Sequence, residues 1–361
     1  MYILIALLLL GILITVHEAG HFFTARACGI DVEEFAIGMG PAIFTHQGRH
    51  AKFSLRIFPL GGFCAFYEED DLEGKGSSDP RAFRNHKVWK RMLTVLMGPG
   101  MNFLLAFLVL FAYVGIGGIT AVQPVIAEVE PGGPAELAGM RAGDRVIMAN
   151  GQDMAGADIQ AFLDMISAYS EGDAPIQLTV LREDGQAECS LKPFWDAELN
   201  RYRIGIAVSA AAAIRENADG SYSYVTTRAT LGQCLDVTWS YCVRAGGAIV
   251  TALKNLVTTG EGLEETSGPV GIVSMVSQEV REGGLDAFIN LLALISINLG
   301  IMNLLPIPGL DGSRFLFLVL EAVRGKPVPA QKEAIVHLCG MVLLIAAMLF
   351  FTWRDIMKLL H

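Results

Sequence analysis

Four stretches of this chain are long and apolar enough to cross a lipid bilayer, which takes about 20 residues in a helix. Hydrocarbon offers no hydrogen-bond partners, so a segment that crosses it alone must satisfy its own backbone groups as a helix. Only 18% of the residues are charged, whereas about 25% is usual in a soluble domain. We therefore predict a polytopic α-helical membrane protein, in contact with the lipid bilayer through spans at residues 2–24, 93–116, 286–308 and 334–353.

The first apolar run is predicted to be a retained span and not a cleaved signal peptide. No basic residue precedes it and no small-residue cleavage site follows it, although secretory signals carry both. Loops rich in Lys and Arg stay in the cytoplasm, and such residues crowd the 25–90 and 309–333 loops. Both loops are thus predicted to be cytoplasmic, with both termini and residues 120–285 on the other side of a plasma membrane.

The loop between the first two spans is predicted to contain short strands. Its segments "EFAIGMGPAIF" and "HAKFSLRIFPLGGFCAF" alternate apolar and polar residues and carry Gly and Pro between them, as strands and turns do. Two interpretations stay open for these apolar strands. They form a sheet that dips into the protein-lined edge of the bilayer, or an ordinary cytoplasmic hairpin.

Residues 119–210 are predicted to form an inserted α/β domain outside the membrane. The order of its segments is strand, Gly/Pro turn, short helix, tight turn and strand, followed by a hairpin around Asp184-Gly185. Residues 124–224 hold sixteen acidic and seven basic residues, which account for nearly all of the net charge of −10. This balance argues against nucleic-acid binding, which needs a basic surface.

The chain is thus predicted to have a first membrane half at 1–118, the domain at 119–210, a helical linker at 211–284 and a second membrane half at 285–361. In the linker, residues 229–258 are predicted to be an amphipathic or partly embedded helix, and another helix begins at about 267. The six cysteines show no metal-ligand spacing. Cys234 and Cys242 could pair outside the cytoplasm, but unpaired cysteines are expected equally.

The first span ends in "VHEAGHFFTARACG" at residues 16–29, which sets three ionisable side chains into an apolar segment. His17 and His21 are four residues apart, so a helix presents them on one face. Both rings can then reach one zinc ion at about 2.0–2.1 Å, with Glu18 beside them as the general base for a water molecule. The alternative is a pair of structural histidines satisfied by backbone groups, but buried polar groups are costly in a span.

A catalytic zinc takes a third protein ligand and keeps one position open. Asp311 in "NLLPIPGLDGSRF" is the best candidate, because it ends an apolar span in a stretch that Pro and Gly interrupt. The alternative to a ligand role is that Asp311 only stabilises a turn or the start of a helix. Asn303 is a second polar residue in the same apolar run. It could donate to a substrate carbonyl or hydrogen-bond a neighbouring helix.

Together these motifs resemble the site-2 protease family of intramembrane zinc metalloproteases, in its bacterial regulator-of-sigma-E type. H-E-x-x-H in the first span combines with Asn303-x-x-Pro306 and Leu310-Asp311-Gly312 in a later one. The segments "EFAIGMGP", "RIFPLGGF", "MGPGMNFLLAF" and "SGPVGI" extend the resemblance over nearly the whole chain. The inserted domain resembles a single PDZ domain through "PGGPAELAGMRAGDRVIMANGQ".

The resemblance implies Zn²⁺ as the cofactor, with His17, His21 and Asp311 as ligands, Glu18 as the catalytic base and Asn303 near the substrate or the transition-state oxygen. It implies that residues 35–67 form a membrane-dipping β-element that pairs with an unwound substrate by strand addition. The implied substrates are single-pass membrane proteins of the bacterial plasma membrane, namely anti-sigma factors after a first outer cut and remnant signal peptides. This chain departs from the pattern of the family in the segment "FCAFYEEDD" after Gly61-Gly62, which is first more apolar and then more acidic than expected.

The inserted domain has two possible roles. PDZ domains bind C-terminal carboxylates through backbone N–H groups, and "RIGI" at 203–206 could form that loop. We favour a size filter that blocks substrates with large outer domains. For the whole chain the alternatives are a membrane peptidase of another H-E-x-x-H clan, which would usually take a downstream Glu as third ligand, and a non-catalytic zinc transporter or PDZ adaptor.

Overall fold

The computed structural model describes residues 2–67, 79–156, 159–182, 185–197, 199–217, 222–262 and 267–360. Asp184 of the predicted hairpin and the acidic residues after Tyr67 lie outside these ranges. The helices are α1 (Tyr2–Cys28), α2 (Val88–Gly117), α3 (Pro134–Leu137), α4 (Ile159–Ser167), α5 (Leu231–Thr258), α6 (Pro269–Leu304), α7 (Asp311–Arg324) and α8 (Ala330–Leu360).

The strands are β1 (Val32–Gln47), β2 (Lys52–Phe66), β3 (Ile119–Thr120), β4 (Val122–Val129), β5 (Arg145–Ala149), β6 (Gln152–Asp153), β7 (Ile176–Arg182), β8 (Gly185–Leu191), β9 (Phe194–Asp196), β10 (Arg201–Arg203), β11 (Ile206–Ala212), β12 (Ile214–Glu216), β13 (Tyr222–Tyr224) and β14 (Thr226–Thr227). These elements form two units. We call Met1–Tyr113 with Leu235–His361 the membrane unit, and Val114–Cys234 the inserted unit.

Four helices of the described residues, α1, α2, α6 and α8, have the length and apolarity of membrane spans, as predicted. The third differs in its bounds from the predicted 286–308, because α6 begins at Pro269 and ends at Leu304. Gly284 has a φ of 60° and a ψ of −136°, so a kink divides α6 into two helices. The helix ends before Pro306 because a residue that precedes proline avoids the helical region.

Both halves of α6 pack against the N-terminal half of α1. Val276 and Val280 precede the kink and Leu292 follows it, and all three join a buried cluster with Ala6, Leu9 and Leu13 of α1. The start of α6 is also fixed by α8, because the backbone N–H of Gly271 donates to Asp355 Oδ2 over 2.8 Å. A Cβ atom at Gly268 would lie 2.8 Å from the backbone nitrogen of Thr352. The glycines of "SGPVGI" therefore allow α6 to approach α8.

The predicted strands of the first loop are confirmed as the β1–β2 hairpin, an antiparallel pair in which residues 34–37 of β1 have partners in two segments of β2, 52–55 and 62–65. Glu34 accepts hydrogen bonds from Ser54 Oγ over 2.5 Å and Arg56 Nη2 over 2.7 Å. Burial raises the pKa of Glu34, but these hydrogen bonds outweigh it and leave the pKa below its usual value. The hairpin also exposes large apolar side chains, which include Met39, Ile43, Phe44, Ile57 and Phe58.

The predicted helix at 229–258 is confirmed as α5, which belongs largely to the membrane unit. Its residues Tyr241, Cys242, Ala245 and Ile249 pack against a cluster formed by α2 and α6, namely Ala106, Leu110, Ala293 and Ile297. Both partner helices are candidate spans, so α5 lies along apolar helices for part of its length. All six cysteines are free, so Cys234 and Cys242 form no disulfide.

The inserted unit is built on a six-stranded sheet in which β11, β4, β5, β7 and β8 are neighbours in that order and β6 pairs with β5. The predicted order of strand, short helix and strand is confirmed by β4, α3 and β5, and β7 and β8 form the predicted hairpin. The core of the unit lies between this sheet and α4, with Phe162 and Ile166 of the helix among its buried residues. β11 pairs with β4 and begins directly after "RIG".

An ion pair fixes α7 against α2. Arg91 and Glu321 form two hydrogen bonds, Nη2 to Oε1 over 2.5 Å and Nη1 to Oε2 over 3.1 Å. Their side chains are only 6% and 14% exposed. Because removal of one partner leaves the other charge buried, we expect Arg91→Met to lower the free energy of unfolding by about 3–5 kcal/mol.

The apparent melting temperature of the purified chain in detergent measures this effect. The control is the double variant Arg91→Met with Glu321→Leu. It should recover most of the lost stability, because an apolar pair of similar volume often replaces a buried ion pair without cost. A double variant no more stable than Arg91→Met would show that the loss comes from packing and not from the unpaired charge.

Candidate metal centre

The two histidines of the H-E-x-x-H motif lie on one face of α1. His17 and His21 are each 7% exposed, and their Nε2 atoms are 3.3 Å apart. The local cause is the helix itself, since side chains four residues apart stand one above the other. The prediction that α1 brings both rings to one point is therefore confirmed.

Close approach of α1 and α2 explains two glycines near the histidines. A Cβ atom at Gly20 would lie 2.1 Å from the backbone oxygen of Met97. At Gly98, a Cβ atom would lie 2.2 Å from Nε2 of His21. Glycine at position 98 thus lets the imidazole of His21 lie directly on the backbone of α2.

A backbone carbonyl of α2 orients His21. Nδ1 of His21 lies 2.9 Å from the carbonyl oxygen of Thr94, which is fully buried. Since a carbonyl only accepts, Nδ1 carries the proton and donates it, and Nε2 then presents its lone pair. Metal-binding histidines in proteins are usually held in this way by a hydrogen bond from the other ring nitrogen. The alternative of a structural histidine satisfied by backbone groups therefore does not account for His21, because its Nε2 is left for another partner.

Asp311 comes to the histidines from the far end of the chain. It is the first residue of α7, directly after the turn that follows α6, and its N-cap is Leu310. The carboxylate Oδ2 lies 3.0 Å from Nε2 of His17 and 3.3 Å from Nε2 of His21. A Cβ atom at Gly312 would lie 2.2 Å from the carbonyl oxygen of Leu304, so glycine there lets α7 start close under the end of α6.

The two Nε2 atoms and Oδ2 of Asp311, which we call the three donor atoms, have the spacing of a zinc site. Their mutual distances are 3.0, 3.3 and 3.3 Å. Atoms at about 2.0–2.1 Å from one ion in tetrahedral directions lie about 3.3 Å from each other. Among the described residues, this is the one group of three His, Cys, Asp or Glu side chains found to be close enough to hold a metal ion. Two neutral nitrogens and one carboxylate oxygen suit Zn²⁺, which leaves a fourth position open.

Glu18 and Asn303 line the same cavity as the three donor atoms, so all five predicted site residues come together. This cavity has a volume of about 220 Å³. β2 passes over Glu18, since a Cβ atom at Gly62 would lie 3.3 Å from Cγ of Glu18. Asn303 lies in the last turn of α6. The arrangement can hold an ion, a water molecule and a carboxylate base side by side.

The sequence did not predict some residues of the site. Arg314 lines the cavity one turn after Asp311, and helical spacing from Asp311 could have suggested it. Gly98 and Asn102 belong to the quoted segment "MGPGMNFLLAF", but nothing in the sequence pairs them with α1. The contact of Thr94 with His21 is made by a backbone atom, which leaves no signal in the residue type.

Comparison with known proteins gives the family. The model of peptidase family M50 matches residues 5–347. The regulator of sigma-W protease RasP of Bacillus subtilis is 31% identical over 98% of this chain and 97% of its own length. The zinc metalloproteases RasP of Geobacillus kaustophilus and Bacillus licheniformis are 31% and 29% identical and cover 96% and 98% of this chain. The matches cover 96% and 98% of those two relatives.

This family match argues against the three alternative interpretations of the chain, namely another H-E-x-x-H clan, a zinc transporter and a PDZ adaptor. The M50 match covers nearly all of the membrane unit, including most of α1 and the turn before α7. The relatives are named as zinc metalloproteases, in agreement with the spacing of the three donor atoms. The chain belongs to peptidase family M50, the site-2 proteases, and is a multi-pass intramembrane metalloprotease with Zn²⁺ as its cofactor.

Proposed function

We propose that this metalloprotease hydrolyses peptide bonds within or near the membrane span of single-pass membrane proteins. The observation that carries the proposal is the cavity beside Glu18, His17 and Asp311, because α1, which holds two of these residues, is itself a candidate span. A substrate cut there must enter the membrane unit. Helix hydrogen bonds shield a peptide carbonyl, so the substrate must be unwound locally before it is cut.

His17, His21 and Asp311 are the proposed ligands of Zn²⁺. When bound, Zn²⁺ would polarise the scissile carbonyl and make a water molecule acidic near neutral pH. Glu18 accepts the proton of the attacking water and then delivers it to the amide nitrogen that leaves. Asn303 donates a hydrogen bond from its side-chain amide to the carbonyl oxygen, where negative charge develops in the transition state.

The β1–β2 hairpin is the proposed element that presents the substrate. Residues 34–37 of β1 pair on both sides, with 52–55 and with 62–65 of β2, so an outer edge lies along 62–65. An extended peptide can add to such an edge. β2 passes over Glu18 at Gly62, so a strand added there would be close to the base. The exposed apolar side chains of the hairpin, such as Phe44 and Phe58, suit a membrane-dipping position better than an ordinary cytoplasmic hairpin.

The inserted unit is proposed to be a PDZ-like size filter outside the membrane. A sheet flanked by α3 and α4, with β11 directly after "RIG", supports a PDZ-like arrangement. The proposed substrates are anti-sigma factors trimmed by a first outer cut, together with remnant signal peptides. One relative is named a regulator of sigma-W protease, which supports the first class. The proposed location is the bacterial plasma membrane with both termini outside.

A reconstituted cleavage assay tests this function. The purified chain in liposomes receives a tagged single-pass substrate, either trimmed outside the membrane or with a folded outer domain. We expect cleavage of the trimmed form and at least tenfold slower cleavage of the untrimmed form. Zinc chelation should abolish cleavage of both forms, and return of Zn²⁺ should restore it. The matched soluble control is an unfolded protein with the same scissile sequence. Equal cleavage of that control would contradict an intramembrane substrate, and equal cleavage of both membrane forms would contradict the filter.

A further inference from the structure

We propose that Asn102 is a positioning residue for zinc binding, through a hydrogen bond that it accepts from His17. Asn102 is fully buried in α2. Its side-chain amide lies against the imidazole of His17, with Nδ2 3.3 Å from Nδ1. Its Oδ1 is buried and has no hydrogen-bond partner among the residues that the structure describes. The inference rests on the proposed role of His17 as a ligand.

The chemistry of a zinc-bound imidazole fixes which amide atom must face it. If His17 binds the ion through Nε2, its Nδ1 carries a proton and requires an acceptor. An –NH₂ group cannot accept, whereas the carboxamide oxygen can. Rotation of the side-chain amide of Asn102 by 180° exchanges the two atoms and turns Oδ1 toward Nδ1. Zinc-loaded His17 therefore selects this orientation, in which Oδ1 has a donor and Nδ2 takes the buried position that Oδ1 left.

The backbone of Asn102 is itself held in place from α6. Ser296, fully buried, donates from Oγ to the carbonyl oxygen of Asn102 over 2.7 Å. One turn further along α6, a Cβ atom at Gly300 would lie 2.9 Å from the ring of Phe103. These contacts fix this part of α2 against α6, the helix whose last turn holds Asn303. Asn102 therefore meets His17 from a rigid position.

With Asn102 in this role, α2 orients both histidines of α1. The carbonyl of Thr94 accepts from Nδ1 of His21, and the side chain of Asn102, two turns later, accepts from Nδ1 of His17. Partners of this kind fix the ring orientation and the protonated nitrogen, and their loss typically weakens metal binding by about 10–100-fold. His17 differs from His21 because its acceptor is a side chain and can be replaced.

Zinc affinity of the purified full chain in detergent, measured by competition with a chromophoric chelator, tests the inference. We expect Asn102→Leu and Asn102→Ser to weaken zinc binding by about 10–100-fold. Asn102→Asp should bind zinc within about threefold of wild type or more tightly, because a carboxylate accepts from Nδ1 at least as well. Thr238→Val is the matched control, since it removes a buried hydroxyl of α5 that has no partner among the described residues. It should bind zinc as wild type does.

Two outcomes separate this inference from the proposed ligand set. His17→Ala should lose zinc binding altogether, and wild-type affinity in that variant would overturn the ligand set. If His17→Ala loses zinc while Asn102→Leu and Asn102→Ser both bind it within about twofold of wild type, the role of Asn102 is wrong by itself. Asn102→Ser keeps the test decisive if the leucine variant does not fold, because serine is small and polar but too short to reach Nδ1.

Discussion

Glu18→Gln is expected to abolish measurable proteolysis while the purified chain keeps about one zinc ion. Loss of a general base typically costs about 10²–10⁴ in rate. Glu18 lines the cavity beside the three proposed ligand atoms but is not one of the three residues whose atoms converge on a point. Glutamine preserves the size of the side chain and its contact with the strand at Gly62, yet it cannot take a proton from water at neutral pH.

The measurement pairs single-turnover cleavage of the trimmed substrate with zinc per chain on the same sample. Glu33→Gln is the matched control, because it removes an exposed carboxylate of β1 by the same exchange. It should cleave at the wild-type rate. A Glu18→Gln variant that cleaves within about tenfold of wild type would rule out the assignment of the base. One that loses its zinc would make Glu18 a ligand instead.

Gly98→Ala is expected to disrupt the metal centre from outside the ligand set. The added Cβ would lie 2.2 Å from Nε2 of His21 and 2.3 Å from its Cε1, far inside van der Waals contact. Either α2 moves away from α1 or the imidazole leaves its position above Thr94. We expect zinc affinity to fall by at least about tenfold, as it does when the orientation of a ligand is lost. Cleavage should fall with it.

Gly100→Ala, two residues along the same helix, is the control for this experiment. Its nearest heavy atom would be Sδ of Met97 at 3.4 Å, an ordinary contact, and alanine is the better helix former by about 1 kcal/mol. We expect wild-type zinc binding and an unchanged or slightly higher melting temperature. Equal zinc affinity in both alanine variants would mean that His21 can rotate without cost, so that its contact with α2 does not determine the site.

Much of the membrane unit could be predicted from the sequence because its determinants are local. An apolar run in hydrocarbon has no alternative to a helix, so the number of spans followed from four such runs. The spacing of His17 and His21 is also local, since one helical turn places both rings on one face. By contrast, the kink at Gly284 and the continuation of the helix that starts at Pro269 into the third span were not predicted. They depend on contacts with α1 and α8 that no window of residues contains.

The sequence by itself determined the spans, the strands of the hairpin and the residue types suited to zinc. The tertiary structure decided that Asp311 meets the histidines within 3.3 Å, although it lies 294 positions after His17 and 290 after His21. It also decided which groups of α2 face the imidazoles, and that glycine must occupy position 98. The physical reason is that these are distances between separate helices. Such distances depend on how close two backbones can approach, which is set by packing and not by local periodicity.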